Sequence, residues 1–214
     1  MLVNLLTNYL WVAVCLFVSA LVNLTLGKIY VPIVGVLFGS GLIFMVTCLF
    51  LPYFIAQYLP VKMEGSEDEK RMYMLVACVV DYVTFMVLLA GAFVPFNAPP
   101  SFLLPLLIGV LADALGPSLG SQPRTVFLGS VLGVPAAASF VYGMFTGSLT
   151  GMYFVWLLAQ LAVALVDVQM KISAFKGGKA ADSASQGFSL ICFLYVTFLM
   201  TVLTSGHEEK SADS

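Results

Sequence analysis

The stretch Trp156–Lys171, WLLAQLAVALVDVQMK, decides the fold, because it is a long apolar run that carries an aspartate. If it forms a helix, Gln160 and Asp167 lie two turns apart on one side, and Lys171 follows Asp167 on the same stripe. An aspartate inside a membrane span costs about 2.5–3.5 kcal/mol on insertion scales, so it usually faces protein or water and marks a pathway. Asp167 is therefore the first candidate for a functional residue.

The composition of the whole chain is typical of a membrane protein. Of its 214 residues, 61% are hydrophobic and 9% are charged, whereas a soluble domain carries about 25% charge. We therefore predict an all-α, polytopic membrane helix bundle of six to seven transmembrane helices, surrounded by the lipid bilayer. A single membrane domain over residues 1–204 and a polar tail over residues 205–214 are expected. The net charge of −2 leaves no basic face for nucleic acid.

Cysteine and histidine usage argues against catalysis and metal binding. The four cysteines are widely spaced within apolar runs, and the single histidine, His207, lies in the polar tail. This pattern offers neither the ligand spacing of a zinc site nor a nucleophile with an adjacent base. We expect no enzyme activity, no metal site and no cofactor.

Seven apolar runs are separated by short polar or proline-rich links. The predicted spans are about Asn4–Leu26, Ile29–Ile55, Met72–Val94, Phe102–Leu119, Thr125–Phe145, Leu149–Met170 and Gly187–Thr204. A tight turn is predicted at Lys28, and a charged loop over Lys62–Arg71. The last run is near the lower length limit for a crossing, so a seventh span and a re-entrant hairpin both stay open.

Two pairs of glycines recur at a spacing of four residues. Gly35 and Gly39 form one pair, and Gly129 and Gly133 form the other. Small residues at this spacing let a second helix approach closely in a membrane. We predict that these four glycines lie at helix-packing positions.

The basic residues are distributed unevenly between the two sides of the predicted bundle. If the loops are numbered alternately from the amino terminus, seven of the nine lysines and arginines fall on the side that also holds the amino terminus. Basic loops stay in the cytosol. We therefore expect a cytosolic amino terminus.

Three aspartates, Asp81, Asp113 and Asp167, fall within predicted spans. Each has a structural interpretation, since Asp81 and Asp113 can reach an interface or a helix end and Asp167 can pair with Lys171. In the functional interpretation they belong, with Gln160 and Lys171, to an ion pathway or a pH gate. Apolar surroundings favour the neutral acid and a nearby cation favours the carboxylate, so such a group can change its charge near physiological pH.

The sequence also resembles the Bax inhibitor (transmembrane BAX inhibitor motif) family. Asp167-Val168-Gln169, which closes the sixth span, is similar to the family's Asp-Thr-Gln signature, with valine in place of threonine. A polar link containing Gly177-Gly178 and a weak final apolar segment follow, as in the family. Further similar pieces occur in the same order upstream, namely Asn8-Tyr9-Leu10, Glu69-Lys70-Arg71, Pro99–Pro105, and Arg124 followed by Phe127-Leu128-Gly129.

The resemblance implies a multi-pass protein of the endoplasmic-reticulum membrane that suppresses cell death and lets Ca²⁺ leak from the lumen in a pH-dependent way. It also implies membrane-protein partners, including cell-death regulators. In the family, the signature aspartate pairs with a second aspartate in the following segment. Here that segment, Phe188–Val202, contains no acid.

Two other functions remain open at this point. One is a non-conducting interaction protein that regulates apoptosis or stress signalling through partners bound on its glycine-rich helix faces. The other is a small-solute transporter, a class that is often built from internal repeats with broken helices. The proline-rich breaks at Pro95–Pro105 and Pro117–Pro123 fit a transporter, but the sequence contains no convincing repeat.

Overall fold

The computed structural model describes residues 2–89, 98–119, 123–176 and 183–212, and these ranges contain helices and no strand. The helices, numbered in chain order, are α1 (Leu2–Leu37), α2 (Ser40–Lys62), α3 (Glu67–Leu88), α4 (Leu103–Leu119), α5 (Arg124–Thr146), α6 (Gly151–Lys176) and α7 (Ser183–Ala212). Within α2, the segments Val46–Phe50 and Phe54–Lys62 are π-helical.

The lengths and surfaces of the helices are those of a membrane bundle. Every helix except α4 is long and apolar enough to cross a bilayer, and α4, with 17 residues, is about 25 Å long. Large apolar side chains such as Leu24 and Phe145 point outward, with exposed fractions of 66% and 88%. The predicted all-α membrane fold is confirmed, and the chain is a multi-pass membrane protein.

Helices α1 and α7 occupy the centre of the bundle. They pack against each other, where the ring of Tyr9 meets the ring of Phe193 edge-on at a centroid distance of 6.3 Å. Helices α2 and α3 pack on one side of this pair, and α4, α5 and α6 pack on the other. The bundle therefore has two seams beside α7, one shared with α1 and α6 and one shared with α2 and α3.

Glycine allows two of the closest helix contacts. A Cβ built on Gly187 of α7 would lie 2.5 Å from the backbone oxygen of Ile55 in α2. One built on Gly109 of α4 would lie 3.1 Å from the Cβ of Tyr9 in α1. Since backbone cannot move aside as a flexible side chain can, Gly187 fixes how closely α7 approaches α2.

The final apolar segment is one unbroken helix. Its apolar part, Ala184–Thr204, has 21 residues, so at a rise of about 1.5 Å per residue it is about 31 Å long. A re-entrant hairpin needs a turn inside the segment, and the described backbone from Ser183 to Ala212 has none. The final segment is therefore one of the six described helices that are long and apolar enough to cross a membrane.

The predicted turn at Lys28 is wrong. Helix α1 continues through Lys28 to Leu37, and the chain breaks at Gly39, whose backbone is extended with φ −62° and ψ 147°. Lysine is a good helix former, and the Tyr30 hydroxyl donates a hydrogen bond to Asn23 across the expected turn, at 2.6 Å. The dip in hydropathy at Lys28 reflects an exposed position on a long helix.

The predicted charged loop over Lys62–Arg71 is shorter than expected. Helix α3 begins inside it at Glu67, because the Ser66 hydroxyl accepts from the Glu69 amide and the Glu69 carboxylate accepts from the Ser66 amide. This capping box satisfies two amide groups that a helix start leaves unpaired. The predicted end of span three at Val94 and the Gly177-Gly178 link lie outside the described residues.

Candidate functional site

Helix α6 turns its polar stripe toward the interior. Gln160, Asp167 and Lys171 lie on its buried face, with exposed fractions of 1%, 2% and 3%. Val166 and Met170, between them in sequence, point outward. The helical spacing predicted that these three residues share one side of the helix, and the structure shows that this side faces the interior.

Asp167 joins three helices. Its Oδ2 accepts a hydrogen bond from the Tyr9 hydroxyl of α1 at 2.6 Å and lies 3.2 Å from the Lys171 ammonium of α6. Its Oδ1 accepts from the Ser189 hydroxyl of α7 at 2.8 Å. The Ser189 hydroxyl has a single proton, which it shares with the backbone oxygen of Ser185. We call these four side chains, Tyr9, Asp167, Lys171 and Ser189, the Asp167 cluster.

Lys171 is held by charge and by an aromatic ring. Its Nζ lies 4.3 Å from the centroid of the Tyr9 ring, which attracts a cation through its electron-rich face. Although the ammonium is 3.2 Å from Asp167, its direction does not make a hydrogen bond, and the described residues offer it no other hydrogen-bond partner. The contact is therefore a buried ion pair, where loss of either partner leaves an uncompensated charge.

The seam around the Asp167 cluster contains further polar atoms without partners. These are Nδ2 of Asn8 in α1, Nε1 of Trp156 and both amide atoms of Gln160 in α6, and Nε2 of Gln186 in α7; all lack a hydrogen bond to any described residue. Each such group costs about 1–3 kcal/mol when left unpaired. Buried water normally satisfies groups of this kind. From Trp156 to Lys171 the row extends about 22 Å along α6.

Asp81 lies in the other seam. Its side chain is fully buried, and neither carboxylate oxygen has a hydrogen-bond partner in the described part of the chain. The structure does not bring Asp81 into the Asp167 cluster.

No protein-family model, curated protein or solved structure matches this chain.

Asp113 points outward from α4. Its neighbour Ala112 is completely buried, whereas Asp113 itself is exposed, because successive residues on a helix are rotated by about 100°. The sequence predicted Asp113 as part of an ion pathway or pH gate together with Asp167. The structure places it on the outer surface of the bundle, apart from both seams.

The four glycines predicted at packing positions differ in their surroundings. A Cβ on Gly35 would lie 3.6 Å from the side chain of Val87 in α3, so α1 and α3 are in contact there. Gly39 lies at the break after α1. Gly129 and Gly133 face no neighbouring helix, since an added Cβ at either would meet no described atom within 4 Å. Instead they line an open groove between α5 and α6.

The described residues contain no group of three or more His, Cys, Asp or Glu side chains that could hold a metal ion. Tyr9 and Ser189 are the hydrogen-bond partners of Asp167 that the sequence prediction missed. For Ser189 a signal existed. Buried polar residues recur on α7 every three to four positions or a multiple of that spacing, at Gln186, Ser189, Thr197, Thr201 and Thr204.

Proposed function

We propose that the protein is a cell-death suppressor of Bax-inhibitor type in the endoplasmic-reticulum membrane, and that it acts as a pH-sensitive Ca²⁺ leak. The observation that carries the proposal is the contact of Asp167 with three helices through Tyr9, Lys171 and Ser189. A single carboxylate thereby holds one end of the α1–α6–α7 seam closed. The resemblance of Asp167-Val168-Gln169 to the family signature supports the same assignment.

Protonation of Asp167 weakens every contact of the cluster. The neutral acid has no ion pair with Lys171, and hydrogen bonds to a neutral acceptor are about half as strong as those to a carboxylate. The titratable groups that face Asp167 are Tyr9 from α1, Lys171 from α6 and Cys192 from α7. Acidification therefore loosens the seam, and the leak is expected to increase as the pH falls.

In this proposal Ser189 and Lys171 do what a second aspartate does in the family. Ser189 supplies the contact from the final segment, which contains no acid, and Lys171 balances the charge. The pair is a carboxylate with an ammonium rather than two carboxylates. Its closed form is therefore the fully ionised one.

Calcium is proposed as the permeant ion and not as a resident cofactor. A tight Ca²⁺ site takes six to eight oxygen ligands, and the Asp167 cluster has one carboxylate and two hydroxyl groups. The unpartnered amides of Gln160 and Asn8 can stabilise water around a passing ion. Such a seam would conduct Ca²⁺ weakly and would not store it.

The amino terminus is proposed to face the cytosol. In a bundle of seven crossings, the amino terminus lies on the same side as the α2–α3, α4–α5 and α6–α7 connections, where most of the basic residues fall. Asp167 is nine residues before Lys176, which ends α6, a distance of about 14 Å along the axis. The cluster would then respond to cytosolic pH.

The experiment that tests the proposal is calcium flux into liposomes that contain the purified protein and a trapped Ca²⁺ indicator. The expected result is a flux above that of empty liposomes that rises from mildly alkaline to acidic pH. Asp113→Asn is the matched control, because it removes an exposed carboxylate from the same bundle and should leave the flux unchanged. A protein that passes no Ca²⁺ at any pH would refute the leak.

A second candidate is a non-conducting membrane interaction protein, which the groove between α5 and α6 favours. The groove has a volume of about 490 Å³ and is lined by small and apolar side chains, including Gly129, Gly133 and Ala162. A transmembrane helix of another protein could lie in it. If crosslinking in membranes recovers a partner from wild type but not from Gly133→Leu, and no flux is seen, this candidate replaces the leak.

A further inference from the structure

The carboxyl group of Asp81 has no hydrogen-bond partner and no ion-pair partner among the described residues. It has an exposed fraction of 0%, and both oxygens lack a hydrogen-bond partner among the residues described. The three ion pairs formed by the described residues do not include it. It lies 14 residues after Glu67, the start of α3, and thus about 21 Å from that end of the helix. This position lies well inside a helix that is long and apolar enough to cross a membrane.

Three helices bring hydroxyl groups close to Asp81. The hydroxyl of Thr47 in α2 donates to that of Thr84 in α3 at 2.7 Å, and the Tyr195 hydroxyl of α7 donates to the backbone oxygen of Thr47 at 3.0 Å. Tyr195 and Cys48 are near enough to interact electrostatically with Asp81.

Helix α2 departs from regular geometry at this point. Thr47 and Cys48 belong to the π-helical segment Val46–Phe50. Single π-helical turns inside α-helices are rare and occur frequently at functional sites. The irregular turn of α2 and the unpartnered carboxylate of α3 thus meet in one seam.

A proton is the occupant that fits these surroundings. An ionised carboxylate without a partner in an apolar interior is very costly. A tight site for a cation such as Ca²⁺ takes six to eight oxygen ligands, whereas the described side chains near Asp81 supply one carboxyl group and the hydroxyls of Thr47, Thr84 and Tyr195. A proton needs only one oxygen. We propose that Asp81 is a proton-binding site inside the membrane-spanning part of α3, set against the π-helical turn of α2.

The titratable groups around this site are all acids. Cys78 lies one turn before Asp81 on α3, Cys48 faces it from α2, and Tyr195 faces it from α7. From α1, Cys15 interacts with Cys78. None of these groups is a cation that could balance a charge on Asp81. The site is therefore separate from the Asp167 cluster, where Lys171 does balance the charge.

Release of the proton would disturb the contact between α2 and α7. The carboxylate that remains needs a donor, and Thr84 and Tyr195 carry O–H groups in its neighbourhood. If Tyr195 turned to Asp81, its hydrogen bond to the Thr47 backbone would be lost. The bound proton thus helps to keep α7 attached to the irregular part of α2.

Infrared spectroscopy of the full-length protein in lipid tests the proposal directly, because the carbonyl stretch of a protonated carboxylic acid is separate from that of a carboxylate. At neutral pH we expect one such band in wild type, its loss in Asp81→Asn, and its retention in Asp113→Asn and Asp167→Asn. Tyr195→Phe keeps the carboxyl group and should shift the band, since it removes a neighbouring hydroxyl.

A wild-type protein without a protonated-carboxyl band at neutral pH would overturn the proposal, whether or not Asp81→Asn folds. So would a band that persists in Asp81→Asn. Loss of the Asp81 band on adding Ca²⁺ or Na⁺ at constant pH would show that a cation occupies the site instead. None of these outcomes depends on calcium flux, so the proton site and the leak can fail separately.

Discussion

Replacing Lys171 by Met removes the ammonium group that lies 3.2 Å from Asp167 and keeps a side chain of similar shape. Both partners are 3% exposed, so water cannot take over the lost interaction. Breaking a buried pair in this way costs about 3–5 kcal/mol, because it leaves one charge uncompensated. Asp167 keeps its hydrogen bonds from Tyr9 and Ser189. We therefore expect the free energy of unfolding to fall by about 3 kcal/mol, the lower end of that range.

A double-mutant cycle separates the ion pair from simple loss of packing. Asp167→Asn together with Lys171→Met removes both charges and leaves neutral side chains of similar volume. We expect this double variant to be more stable than Lys171→Met alone, with a coupling energy of about 0.5–3 kcal/mol, as for other residues in direct contact.

The assay is reversible unfolding in detergent micelles, followed for the wild type, both single variants and the double variant. Acidification gives a second readout, because the cost of Lys171→Met should shrink once Asp167 takes up a proton. The reasoning would be refuted if Lys171→Met cost less than about 1 kcal/mol, the value of an exposed pair, and if that cost did not change in the Asp167→Asn background.

Four further substitutions test the contacts that build the site and the bundle. Tyr9→Phe removes the 2.6 Å hydrogen bond to Asp167 but keeps the ring. It should lower the free energy of unfolding by about 1.5–3 kcal/mol. It should also raise the leak at neutral pH, which flux measurements would check. Gly187→Ala should lower the free energy of unfolding by about 1–3 kcal/mol, because the added methyl group overpacks the contact. Gly133→Ala is the control, since its added methyl group meets no described atom within 4 Å; in the same unfolding assay it should be neutral or stabilising. Ser66→Ala removes the helix cap and should lower stability by about 1 kcal/mol. Faster amide hydrogen exchange at the start of α3 would show this loss.

The membrane fold and the inner face of α6 could be predicted because both depend on local patterns. Long apolar runs indicate where the helices lie, and helical spacing indicates that Gln160, Asp167 and Lys171 share one side. The start of α3 was also readable, since Ser66 is followed three residues later by Glu69. It was missed because the charges around it were taken as a loop.

The partners of Asp167 could not be predicted in the same way. Tyr9 is 158 residues away in sequence, and only the packing of α1 against α7 brings it to α6. The break after α1 was misplaced because the apolar run is long enough for either position, and the deciding feature is the extended backbone of Gly39. Asp113 illustrates the same limit, since an aspartate in a span can face either outward or inward.

The measurement that tests the central claim most directly is the pH dependence of Ca²⁺ flux in Asp167→Asn liposomes, beside wild type from the same preparation. Asparagine cannot ionise, so the ion pair with Lys171 is absent at every pH. The account predicts a wild-type flux that rises on acidification and a variant flux that is already high and independent of pH. A variant whose flux still follows pH as the wild type does would show that Asp167 is not the gate.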